Sequence, residues 1–259
     1  MTAQSEKAQS LARLHAAPEI LRVVNVWDAV SAKVIADLPE TRAIATAGHS
    51  IAATFGYPDG ENIPLDLMLD MVRRVVDAVG DLPVTADLDA GFGDPGETVR
   101  KAIGVGVVGA NVEDRLTPLD ESVAAVEAII AAGAGEGIPF VLNARTDAFV
   151  RGGGRPASES VADAVERGRA YLAAGATTVF VPGILDADTT RALVEGIGEN
   201  KVSVIGLAGA LTAAEYEALG VARISYGPMT QRVALTALQD VAGDLYRDGG
   251  IPSSTRPLN

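Results

Sequence analysis

The sequence predicts a single α/β domain folded as a closed (β/α)8 barrel. Three observations carry this expectation. Short β-branched runs recur at intervals of roughly 20 to 35 residues. Each is followed by a turn and then by a helix-period pattern, the rhythm of βα units built around a parallel sheet. The length, 259 residues, suits one such barrel, and no Pro/Ser/Gly-rich linker divides the chain into halves.

Taken in order, a short N-terminal helical segment precedes strand one at 21–25, which leads into a helix over 29–37. Strand two, 43–46, runs into the glycine-bearing turn Ala47-Gly48-His49-Ser50, with the next helix at 65–79. Strand three, 84–87, ends in an Asp- and Gly-rich turn before a helix over 97–103, and strand four, 109–113, precedes a helix over 121–132. Strand five, 140–145, is separated from its helix, 160–174, by a surface loop at 151–158 that carries Gly152, Gly153 and Gly154. In that helix Val161, Ala164, Val165, Gly168 and Leu172 repeat at the spacing of one helix face. Strands six to eight, at 178–181, 202–205 and 223–225, alternate with helices over 187–195, 213–219 and 231–246. The helix at 213–219 has a well-marked start: Thr212 and Glu215 have capping-box spacing, and Leu211 and Tyr216 are placed to staple it. The tail over 249–259 is expected to be irregular.

Composition narrows the function. With 34 acidic and 21 basic residues the formal charge is -13, so the average field repels nucleic acid and anionic lipid, and neither is expected as a partner. An anionic substrate must then be held locally, by a metal ion, an arginine or backbone amides. There is no cysteine, which removes disulfides, a thiol nucleophile and a Cys-based zinc site. No apolar stretch approaches the roughly 20 residues of a membrane span, and residues 1–10 are polar where a signal peptide is apolar; a cytoplasmic location is expected. The Gly91-Phe92-Gly93 and Gly104-Val105-Gly106 segments lack the dinucleotide fingerprint, and Ser50 beside His49 shows no triad pattern.

In a barrel of this kind the site lies at the C-terminal ends of the strands. Three polar clusters fall there. Asp87 and Asp89 end strand three, two residues apart and so on one side of an extended chain. Asn111, Glu113 and Asp114 end strand four; Asn143, Arg145, Thr146 and Asp147 end strand five. Parallel neighbours lie about 4.8 Å apart, so these carboxylates and the Arg145 guanidinium converge over one mouth. Oxygen ligands without cysteine suit a hard divalent cation, Mg²⁺ first and Mn²⁺ next, although Asp- and Gly-rich strand ends also supply turns and caps. The turn at Gly48 can present backbone N–H groups to a carboxylate or phosphate. His49 is either an acid or base of the site or a polar loop residue beside it, and His15 carries no expected role.

Asp87-Leu88-Asp89-Ala90-Gly91-Phe92-Gly93, Val112-Glu113-Asp114, Ala144-Arg145-Thr146-Asp147-Ala148, Thr46-Ala47-Gly48 and Gly56-Tyr57-Pro58-Asp59 together resemble the isocitrate lyase/phosphoenolpyruvate mutase superfamily. The resemblance implies a (β/α)8 barrel, a homo-oligomer (tetramer or dimer) whose subunits exchange the last helix, and cleavage or formation of C–C or P–C bonds beside an α-keto carboxylate. By position it assigns Asp87, Asp89 and Glu113 to the Mg²⁺ site, in part through water, Asp59 to the reacting group, Arg145 to the substrate, and the amides of Ala47 and Gly48 to a carboxylate. The sequence also departs from the family. After Glu113-Asp114 comes Arg115-Leu116-Thr117-Pro118-Leu119, without the Lys-Lys-Cys-Gly-His stretch of the lyases or the mutase's loop lysine and asparagine. Strand six ends in Val181-Pro182-Gly183, without the mutase's histidine or methylisocitrate lyase's glutamate. The resemblance therefore implies a lyase, hydrolase or decarboxylase that works through an enolate and is neither isocitrate lyase nor methylisocitrate lyase. The alternative expectation is an α-keto-acid-binding protein of the same fold without turnover.

Overall fold

The computed structural model describes residues 2–258. Among them the chain forms α1 (Ala3–Ala16), β1 (Leu21–Val23), β2 (Asn25–Val26), α2 (Ala29–Ala36), β3 (Ile44–Thr46), α3 (Gly48–Thr54) and α4 (Leu65–Ala78). There follow β4 (Val84–Asp87), α5 (Pro95–Gly104), β5 (Gly109–Glu113), α6 (Leu119–Gly135), β6 (Val141–Arg145) and α7 (Ala157–Ala173). The chain then runs through β7 (Thr178–Phe180), α8 (Ala187–Ile197), β8 (Val202–Ile205), α9 (Ala213–Ala218), β9 (Arg223–Ser225) and α10 (Met229–Leu245). Residues 249–258 form neither helix nor strand, as expected.

All strand pairs are parallel, in the order β1-β9-β8-β7-β6-β5-β4-β3-β2. The extra strand relative to the expected eight arises because the first one divides at Val24. Its first half pairs with β9 (Leu21↔Arg223) and its second with β3 (Asn25↔Ala45), so the two edges of the sheet are one stretch of chain and the barrel closes there. Asn25 knits that seam: its Oδ1 accepts from the N–H groups of Tyr226 (2.7 Å) and Gly227 (2.8 Å), and its Nδ2 donates to Thr46 O (2.9 Å).

Several helices start where short polar side chains take orphan N–H groups. Asp28 and Ser31 form a capping box on α2, Asp94 caps α5 with Pro95 in its first turn, and Thr212 and Glu215 form the expected box on α9. On α7, Ala164 and Gly168 are buried while Val161, Val165 and Leu172 pack beside them against Leu193, Val194 and Ile197 of α8. Gly168 allows that close approach: a Cβ there would lie 3.0 Å from Ile197 Cδ1. Apolar residues fill the layer between sheet and helices, whereas a stack of hydrogen-bonded polar side chains runs through the barrel. Asn143 Nδ2 donates to Asn111 Oδ1 (2.8 Å) and to Ser203 Oγ (3.2 Å), and Thr178 Oγ1 donates to Asn143 Oδ1 (2.8 Å). A bond from β6 to β8 must pass through the interior, since β7 separates them in the sheet.

α1 seals the opposite end. Buried Leu11 lies 2.9 Å from the point a Cβ on Gly109, the first residue of β5, would occupy, and Gln4 Nε2 donates to Ile103 O and Val107 O. Two expectations need correcting. The turn at Ala47-Gly48-His49-Ser50 opens a helix, α3, which went unseen because seven residues without a side-chain cap carry too little periodicity. The loop after β6 ends two residues before the expected 158, since α7 begins at Ala157 behind Pro156. α10 differs from the other helices: of its seventeen residues only Gln231 is buried, and Val233, Leu235, Leu238 and Leu245 are exposed. No helix among the described residues is long and apolar enough to cross a membrane.

Candidate active site

β4, β5 and β6 end at Asp87, Glu113 and Arg145, and the sheet register sets Asp87 beside Asn111 and Glu113 beside Arg145. These strand ends open into a cavity of about 420 Å³ that Asp89, Asp59, His49, Asn25, Arg151 and Ser225 also line. The convergence expected from strand spacing is therefore present. One step of that expectation was wrong: the chain is not extended through Asp89, which adopts a left-handed φ of 48°. It reaches the cavity because the backbone turns, with Leu88 N bonded to Asn111 O and Glu113 N to Asp89 O.

Charges alternate across the mouth. Glu61 Oε2 meets Arg115 Nη2 at 3.1 Å, Arg115 Nε meets Glu113 Oε1 at 3.1 Å, and Glu113 Oε2 meets Arg145 Nη1 at 2.7 Å. Arg145 Nε then donates to Asp147 Oδ1, and Arg151 Nε to Asp147 Oδ2, both at 2.8 Å. Glu61 Oε1 also accepts from the amides of Ala90 and Phe92, which pins the turn that presents Asp89. Arg115 and Leu116 both have left-handed φ, so the segment after β5 is a tight, ion-paired turn.

The amides of Ala47 and Gly48 are not free for an incoming carboxylate in this arrangement. Ala47 N–H bonds Val26 O at 3.1 Å as the sheet continues past β3, and Gly48 N–H bonds Asp87 Oδ2 at 2.9 Å. Gly48 also leaves room for that carboxylate, since a Cβ would stand 3.2 Å from Asp87 Oδ2. Asp59, on the loop after α3, lies across the cavity with its Oδ2 3.2 Å from His49 Nδ1. The structure thus brings His49 into the site, which the sequence left open.

Asp87, Asp89 and Glu113 are held toward their neutral forms. Burial raises Asp87, against the opposing Gly48 amide. Burial and then repulsion from Asp87, Asp59 and Glu113 push Asp89 up to about 8, and burial raises Glu113 despite Arg145. Such a set binds a divalent cation at the cost of its protons, and its all-oxygen donors fit Mg²⁺. Among the described residues no three acidic or imidazole groups are drawn close enough to clasp an ion unaided, so water or substrate oxygens must complete its coordination.

Sequence reasoning missed Arg151, Glu61, Arg115 and Asn25. Arg151 looked like part of a glycine-rich surface loop, and Glu61 lies on a loop with no motif; only Asn25, a polar residue ending a strand at the active face, carried a usable signal.

The sequence model of the phosphoenolpyruvate phosphomutase family matches residues 11–246. A probable 2-methylisocitrate lyase 2 of Corynebacterium glutamicum is 29% identical over 266 residues, covering 95% of this chain and 83% of the relative. An oxaloacetate decarboxylase of Rhodopseudomonas palustris strain BisB18 is 33% identical over 197 residues, covering 73% and 66%. The crystal structure of oxaloacetate acetylhydrolase with the product oxalate superposes with a TM-score of 0.86 at 25% identity, covering 98% of this chain and 92% of that one.

Proposed function

This chain belongs to the phosphoenolpyruvate phosphomutase family, within the isocitrate lyase/PEP mutase superfamily of enzymes, and from that premise we propose that it breaks a C–C or P–C bond beside a small α-keto carboxylate with the help of Mg²⁺. The observation that carries the reading is the meeting of Asp87, Asp89, Glu113 and Arg145 at one mouth of the barrel. Asp87, Asp89 and Glu113 would hold the cation, directly or through water. Bound there, Mg²⁺ would supply Lewis acidity toward the keto oxygen. Arg145, braced by Glu113 and Asp147, donates to the substrate carboxylate. Gly48 acts through Asp87, whose carboxylate it orients. Asp59 fixes one ring nitrogen of His49, leaving the other to hold or move a proton at the reacting group.

The segment after β5 argues against isocitrate and methylisocitrate as substrates. It carries no lysine, cysteine or histidine, and Arg115 is committed to Glu61 and Glu113. The same feature favours a second reading, a keto-acid-binding protein without turnover. Incubating the protein and Mg²⁺ with a panel of α-keto acids separates the two. An enzyme releases product; a binder shows only ligand-induced thermal stabilisation, and neither response would overturn both readings. We further infer a cytoplasmic homo-oligomer in which the exposed apolar residues of α10 pack on a neighbouring subunit. A monomer by light scattering would refute that assembly.

A further inference from the structure

We infer that Arg151 sets the substrate class of this site, by binding the second anionic group, carboxylate or phosphonate, of a keto acid whose first carboxylate is held by Arg145. The inference rests on the keto-acid reading above and deepens it. Arg145 and Arg151 are the only arginine or lysine residues among the described residues lining the cavity. Both are aimed by one buried carboxylate: Asp147, 0% exposed, takes Arg145 Nε on Oδ1 and Arg151 Nε on Oδ2. Asp147 is itself fixed, because its N–H donates to Asp114 Oδ1 at 3.0 Å and its carbonyl accepts from Arg151 N–H at 2.8 Å. Two contacts of 2.8 Å across a single carboxylate keep the two Nε atoms within about 8 Å of each other, a span that a small keto diacid can bridge.

The two guanidiniums are not equivalent. Arg145 is the inner one, 26% exposed, with Nη1 taken by Glu113. Arg151 is the outer one, 52% exposed, and its Nη groups make no hydrogen bond among the described residues, so a planar pair of donors remains for a ligand. Charge balance points the same way. Arg145 already faces Glu113 and Asp147, and Asp59, Asp87 and Asp89 line the same cavity. With Arg145 committed to Glu113 and Asp147, Arg151 is the cation of this lining whose guanidinium still has donors for a second anionic group. Phe180 and Pro182, which also line the cavity, offer apolar wall.

The test compares a short probe with two long ones. Oxalate occupies the keto-carboxylate end alone, whereas 3,3-difluorooxaloacetate and phosphonopyruvate add a distal carboxylate or phosphonate. Each is titrated calorimetrically into the full chain with Mg²⁺, as wild type, Arg151→Gln and Arg151→Lys, and KM replaces Kd for any probe that is turned over. Oxalate should bind all three proteins within about twofold, which also shows that the variants are folded. At least one longer probe should weaken tenfold or more in Arg151→Gln and recover in part in Arg151→Lys. Which of the two weakens identifies the distal group. Parallel weakening of oxalate and the long probes would reduce Arg151 to a brace for Arg145 and overturn the inference. So would unchanged binding of the long probes, or a wild type that binds oxalate but neither long probe. A wild type that binds none of the three would overturn the keto-acid reading itself, and the inference with it.

Discussion

Acidification should weaken the seat of α1 on the barrel through a single buried histidine. His15 is 1% exposed; its Nδ1 lies 2.9 Å from Leu11 O and donates to it, which leaves Nε2 unprotonated and without a partner. Burial, followed by the nearby Arg223 charge, lowers its pKa from 6.5 to about 3. In the unfolded chain His15 takes up a proton as the pH falls through 6.5, whereas the folded protein does so only near 3. Between those values the unfolded state holds more protons, so stability drops as the pH drops. At pH 5.0 the loss comes to about 2 kcal/mol, and it grows to about 5 kcal/mol when the folded form finally protonates. Asp89 has the opposite sign. Its folded-state pKa near 8 means that the native protein carries the extra proton between its ordinary 3.8 and 8, so this group favours folding as the pH falls through that window. The comparison must therefore be between proteins as well as between pH values. His15→Gln keeps a donor for Leu11 O but cannot titrate. Urea unfolding of both proteins at pH 7.5 and 5.0 should show wild type losing about 2 kcal/mol more than the variant on acidification. Equal losses, within about 0.5 kcal/mol, would mean that His15 is not held neutral by burial, and the reasoning would fail.

Three further outcomes bear on the site. Asp87→Ala should weaken Mg²⁺ binding at least tenfold in a metal titration, and unchanged affinity would remove Asp87 from the metal's neighbourhood. Arg145→Lys should cost about 1.5 to 3 kcal/mol of keto-acid affinity while leaving Mg²⁺ binding in place, because a compact ammonium lacks the planar fork whose separate nitrogens reach Glu113 and Asp147 and leave one for a carboxylate. If thermal stability falls and affinity in the folded fraction does not, Arg145 is only a counter-ion. Isocitrate and methylisocitrate should not be cleaved at metabolic rates, since a missing acid–base group commonly costs about 10²- to 10⁴-fold; glyoxylate release from isocitrate at such rates would contradict this.

What could be read from the chain alone is what depends on residues close together in it. The Thr212–Glu215 capping box and the apolar face of α7 involve partners within a few turns, and the strand ends at Asp87, Glu113 and Arg145 follow from the βα rhythm and the parallel spacing. The meeting of the charged strand ends was legible for that reason. What only the tertiary structure decided involves partners far apart. The break at Val24 exists because Leu21 pairs with Arg223 while Asn25 pairs with Ala45. The Gly48 N–H bonds Asp87 across the barrel, and Arg151 entered the site because Asp147, Arg145, Glu113, Arg115 and Glu61 link into one chain of charges across the mouth. Local propensity and hydrophobic period are set by neighbours along the backbone, but an ion pair or a backbone bond across the barrel is chosen by which groups remain unpaired once every strand has found its register, and that exists only in the closed fold.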